Sequence, residues 1–143
     1  MPSSTTSCAV EIRLLQAVVA TLALVPICAG LAGAVFGIGV FEPALQLGTN
    51  IDSTGRYLSG LLLAVGLAFL GTLPRIERQG VRFRLLTLIV LTGGLARLWG
   101  VVLMGLPSAP MLGGLAMELL VTPALALWRE RLDRRCNARV SPV

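Results

Sequence analysis

The sequence predicts an all-α polytopic membrane protein, an up-down bundle of four transmembrane helices. Hydrophobic residues fill 55% of the 143 positions and charged residues only 13%, about half the share that a soluble domain carries. The charges are gathered into short clusters between four apolar runs, each close to the ~20 residues that a helix needs to cross a hydrocarbon core. Strand-like alternation is absent, and backbone in lipid must pair internally, which leaves helices. This length predicts one domain.

The spans are expected at about 14–36, 57–73, 83–104 and 109–128, followed by a basic tail at 129–143. The first, beginning near Leu14, is too long to be a signal-peptide core of roughly 7–15 residues, so it is expected to be retained. The second is short, although Asp52 or Ser53 would suit the cap of a helix that begins earlier. It stops at Pro74, which has no backbone donor and restricts the residue before it. Gly105 and Pro107 end the third span. Ser108 suits the cap of the fourth, with Pro110 tolerated in its first turn. Pro26 and Pro123 lie inside spans and are expected to kink them. In the longest connection, Gly37 to Gly55, the apolar stretch Val40 to Leu47 suits a short interfacial helix.

Arginine placement orients the chain. The link between the second and third spans carries Arg75, Arg78, Arg82 and Arg84, and the tail carries Arg129, Arg131, Arg134, Arg135 and Arg139. The other two connections hold only Arg56, set against Glu42 and Asp52. Both termini are therefore expected in the cytoplasm, with Trp128 anchoring the inner interface of the cell's inner membrane.

Lipid gives helices no hydrophobic reason to associate, so close approach of small residues must supply the attraction. Two ridges at four-residue spacing suit that role. One is Ala17, Thr21, Val25, Ala29, Gly33 and Gly37; the other is Gly60, Ala64, Ala68 and Thr72. They are expected to pack within one chain or, alternatively, to make a homodimer.

Two charges remain within the spans, Arg97 in the third and Glu118 in the fourth. An ionised group at mid-bilayer costs at least about 2.5–3.5 kcal/mol, so it is rarely left alone. Both residues are equally far from the turn at Pro107 and Ser108, which puts them at one depth of an antiparallel hairpin. Gly93, Gly94 and Gly100 flank Arg97 on its face, and Gly114 and Thr122 flank Glu118. Two readings stay open: a salt bridge that locks the hairpin, or the polar floor of a cavity with Arg56 and Tyr57 at its mouth, joined there by Glu42 or Asp52. The candidate ligand-binding residues are thus Arg97, Glu118, Arg56 and Tyr57.

Composition excludes much else. There is no histidine, which removes the commonest general base and metal ligand. No serine–base arrangement or phosphate loop occurs, so no catalytic residue and no cofactor are expected. Cys8, Cys28 and Cys136 are odd in number with no close pair, so their spacing signals neither a metal site nor a disulfide framework. Cys28 reads as a small packing residue. The net charge is +5, and all 12 basic residues are arginine. These sit beside apolar runs without interleaved aromatics, so nucleic acid is not the expected partner. The expected partners are the lipid bilayer, a lipophilic small molecule, and a second copy or another membrane protein.

The runs Arg56-Tyr57-Leu58-Ser59-Gly60, Leu73-Pro74-Arg75-Ile76-Glu77, Gly93-Gly94-Leu95-Ala96-Arg97-Leu98 and Glu118-Leu119 ahead of Pro123 resemble a bacterial integral-membrane family. It is catalogued as domain of unknown function 4345 and is DoxX-like in architecture. The likeness spans Leu14 to Arg129 and implies a small four-helix membrane protein. It implies no reaction. The residues themselves favour a non-enzymatic binder of a lipophilic molecule, with an accessory or assembly subunit of a membrane complex as the alternative.

Overall fold

The structure, a computed structural model, describes residues 4–41 and 48–138. Among these every regular element is helical: α1 (Ser4–Phe36), α2 (Thr49–Thr72), α3 (Gly80–Met104), α4 (Ala109–Ala116) and α5 (Thr122–Ala138), with a π-helical segment, Met117–Val121, joining α4 to α5. Four stretches are long and apolar enough to cross a membrane: Cys8–Phe36, Thr49–Arg75, Gly80–Met104 and Ala109–Cys136. The all-α, four-span expectation holds.

The helices outrun their apolar cores. The expected first span begins at residue 14, yet α1 starts ten residues earlier at Ser4, and its 33 residues make a rod of ~50 Å against a ~30 Å hydrocarbon core. Likewise α2 begins at Thr49, capped by Gly48, with Asp52 inside its first turn. The helix of the fourth span, α5, continues past 128 to Ala138. Polar flanks carry no hydropathy signal, so spans read from hydropathy alone come out short. Most of the expected interfacial stretch, 42–47, lies outside the described residues, as does Arg139; Val40 ends a single 3-10 turn, Ile38–Val40.

Contacts divide the chain into two units, residues 17–74 and residues 1–16 with 75–143. In the first, α1 and α2 meet through small residues. A Cβ placed on Gly30 would lie 2.7 Å from the Ser59 carbonyl oxygen and 2.9 Å from Leu63 Cα, and one on Gly66 would lie 2.7 Å from Ile27 Cγ1. The buried residues of α2 are Gly55, Ser59, Gly66, Phe69 and Thr72, whereas Ala64 and Ala68 are exposed. On α1 the buried positions include Val19, Ala23, Gly30 and Gly33, while Ala17, Thr21 and Val25 face outward. The expected packing of the two ridges within one chain is thus corrected, and the reason is geometric. A row at four-residue spacing drifts ~40° around the helix per step, so Ala17 and Gly37 sit ~200° apart. Only the Gly33–Gly37 end of the first ridge and Thr72 of the second are buried. Cys28 is exposed and does not pack as expected.

Arg56 ends α1. Its Nη1 donates to the carbonyls of Ala34 and Val35 at 3.1 and 2.8 Å, and its Nε to Asp52 Oδ2 at 2.7 Å. Helix ends leave carbonyls without partners, and Arg56 supplies the donors. Gly37, at φ 82°, turns the chain away.

In the second unit, Leu15, Ile76, Phe83, Leu115 and Leu132 are buried. Arg129, expected in a solvated tail, is instead 4% exposed. Its Nε donates to the Ile76 carbonyl at 3.0 Å and its Nη2 to the Glu77 carbonyl, with Asp133 Oδ2 3.7 Å away. Gly80 leaves room for it: a Cβ there would be 2.8 Å from Arg129 Cζ. Arg84 and Glu130 pair beside it at 3.4 Å. Cys8 and Cys136 are joined in a disulfide across 128 residues, with a Cα–Cα distance of 6.2 Å. This overturns the expectation of no disulfide. Sequence spacing cannot reveal a bond that needs the N-terminal end of α1 beside the C-terminal end of α5.

Candidate functional site

The hairpin of α3 with α4 and the π-helical segment carries Arg97 and Glu118, the two charges singled out within the apolar stretches. It turns at Gly105, whose φ of 93° a side chain would resist, and restarts after Ser108 with Pro110 in the first turn. The Ser108 side chain makes no capping bond.

Pro123 shapes the segment around Glu118. It has no N–H to offer the carbonyl four residues back, and its ring crowds that carbonyl. The chain answers with a wider turn one step upstream: the Thr122 N–H bonds to the Met117 carbonyl, five residues back, and Thr122 Oγ1 donates to the same oxygen at 2.9 Å. The proline expected to kink the span thus coincides with a π-turn, a feature often found at functional positions. Glu118 lies within it.

Arg97 lies across that surface. Its Nη2 is 3.2 Å from Glu118 Oε1, its Nη1 donates to Met111 Sδ at 3.2 Å, and a Cβ on Gly114 would lie 3.6 Å from the guanidinium. Gly94 permits the approach: a Cβ there would be 2.9 Å from Glu118 Cβ and 2.8 Å from Leu119 Cδ2. Gly93, Gly100 and Gly113 have nothing within 4 Å of where a Cβ would stand. Gly94 therefore lets the two helices close together, whereas a side chain at the other three would meet no neighbouring atom.

Glu118 is only half engaged. Oε1 meets Arg97, but Oε2 is shielded from solvent and has no hydrogen-bond partner among the described residues. Of the other two sequence candidates, Arg56 caps α1 in the first unit, and its neighbour Tyr57 is 67% exposed. Glu42 lies outside the described residues.

Residues 14–129 match the sequence profile of a family described as Domain of unknown function (DUF4345). The chain belongs to that family. No curated protein and no solved structure is matched. Membership covers the hairpin, the π-turn and the Arg129 anchor, and it assigns a chemical role to none of them.

Sequence reasoning missed Arg129, whose only visible partner was Asp133 one turn on. It also missed the cleft of about 480 Å³ beside that arginine, lined by residues that include Ile12, Leu15, Arg78, Leu132 and Cys136.

Proposed function

We propose that this is a non-enzymatic integral protein of the bacterial inner membrane, with both termini cytoplasmic. In this reading Arg97 and Glu118 floor a site for a lipid or lipophilic small molecule that carries a hydrogen-bond donor. The observation that carries it is the solitary Oε2 of Glu118. A pair serving only to lock a hairpin gains by satisfying both carboxylate oxygens, since a shielded acceptor without a partner costs about 1–3 kcal/mol. A donor on a ligand headgroup would remove that cost, and the bare surfaces at Gly93, Gly100 and Gly113 leave room for its apolar body. Apolar walls with a few convergent polar groups suit such ligands.

The test is native mass spectrometry of the gently solubilised protein, with lipid extraction, for wild type and Glu118→Gln. The variant keeps the side chain's shape and replaces an acceptor with a donor. A defined molecule retained by wild type and reduced at least ~10-fold in the variant, at unchanged melting temperature, is the expected result; ten-fold corresponds to about 1.4 kcal/mol. Equal, nonspecific lipid in both would sink it. The Arg97–Glu118 contact itself favours a second reading, in which the bridge is a lock and the protein is an accessory subunit. That outcome would move the search to crosslinked membrane-protein partners.

A further inference from the structure

The Cys8–Cys136 bond lies at one edge of the cleft beside Arg129, and nothing in the ligand reading uses it. The cleft is built from the N-terminal end of α1, the turn at 76–79 and α5, and Cys136 forms part of its wall. Both cysteines are only partly buried, so an incoming thiol has access to the bond. Two guanidinium groups, those of Arg78 and Arg129, share the cleft with Glu77 and Asp133.

We propose that Cys8 and Cys136 are a reversible thiol–disulfide exchange site whose substrate is a cytoplasmic thiol or dithiol reductant. The reductant's thiolate enters through the cleft and attacks Cys136 Sγ. A mixed disulfide forms there, and the Cys8–Cys136 bond breaks. Cys8 leaves as a thiolate and takes a proton from solvent. A second thiol of the reductant then attacks the mixed disulfide, releasing Cys136 as a thiolate that is protonated in turn. In balance, the protein gains two electrons and two protons, and two reductant thiols become one disulfide. The reverse reaction closes the bond again.

The Cα–Cα distance of 6.2 Å is ordinary for a disulfide. What favours exchange over a permanent staple is the compartment: on the orientation proposed above, on which this part rests, both cysteines face one that keeps thiols reduced, where disulfides form transiently or as sensors. Reduction releases the N-terminal end of α1 from the C-terminal end of α5 and frees the wall of the cleft.

The experiment uses cells making the full chain, quenched in acid and alkylated with N-ethylmaleimide, with adducts located by peptide mass spectrometry. Cys28 serves as an internal reference. Cys8 and Cys136 should be alkylated during growth, protected after diamide, and alkylated again after recovery, with Cys28 alkylated throughout. A bond that stays closed in growing cells, or that never closes under diamide in correctly folded protein, overturns the proposal. A second measurement follows the direction of attack in purified protein treated with oxidised glutathione. Cys8→Ser should carry several-fold more adduct on Cys136 than Cys136→Ser carries on Cys8; equal adducts overturn the assignment of Cys136 as the attacked sulfur. The orientation is separated from the chemistry by an impermeant phosphine. Opening of the bond in inverted vesicles alone supports both, whereas opening in intact cells overturns the orientation and with it the cytoplasmic reductant.

Discussion

At the scale of single residues, Gly94 is the glycine of the candidate site where a side chain would be most crowded. A methyl group there would meet Glu118 Cβ at 2.9 Å, an atom fixed to its backbone, so the two helices of the hairpin must separate to admit it. Gly94→Ala should destabilise the protein by about 1–3 kcal/mol, despite alanine's better helix propensity. Gly93→Ala, one residue away and open to the outside, should be neutral or stabilising by up to ~1 kcal/mol. Thermal unfolding in detergent reads both, and equal effects would refute close packing at Gly94. The Arg97–Glu118 pair was legible in the sequence because two lone charges equidistant from one turn have few other partners to find. Arg129 was not. Its acceptors are backbone carbonyls 52 and 53 residues away, and a carbonyl leaves no trace in residue type.

At the scale of elements, the first unit depends on how closely two helices approach. Gly30 faces backbone atoms of α2 that cannot yield to a side chain, whereas Gly60 faces nothing within 4 Å. Gly30→Ala should therefore cost about 2 kcal/mol, and Gly60→Ala should cost nothing measurable. The comparison is made by thermal unfolding, and a Gly60 variant as damaging as the Gly30 variant would reinstate the ridge through Ala64 and Ala68. That small residues mediate this contact was readable from sequence. Which small residues do so was not, because a straight row at four-residue spacing winds away from any single neighbour. Arg56 shows the same limit: its position at the end of a span suggested the mouth of a cavity, and its role as the donor to the last carbonyls of α1 needed the neighbouring helix to be in place.

For the whole molecule, orientation rests on the arginines that remain on the surface. Burial removes Arg129 from that set, but Arg75, Arg78, Arg82, Arg84, Arg131, Arg134 and Arg135 are all exposed, so the bias toward one side persists. In a protein with its three cysteines replaced by serine, Arg78→Cys should react with a membrane-impermeant maleimide only after the cells are permeabilised. Leu106→Cys, at the exposed turn after α3, should react in intact cells. The opposite pattern would reverse the topology. Composition and charge placement made the number of spans legible, since both follow from the cost of moving polar groups into hydrocarbon. The length of α1 and α5 beyond their apolar stretches, and the bond between their ends, depend on contacts that hydropathy does not record.

The π-turn also sets a rule about chain length. Glu118 and Arg129 lie on the same continuous helical segment, one meeting Arg97 and the other the carbonyls of Ile76 and Glu77. Removing or adding one residue between them rotates everything beyond by ~100°, and both polar anchors cannot then be kept at once. The segment from 118 to 129 can thus change its side chains during divergence far more freely than it can change its number of residues. The extra residue held in the wide turn is the phase setting between two anchors on one rod.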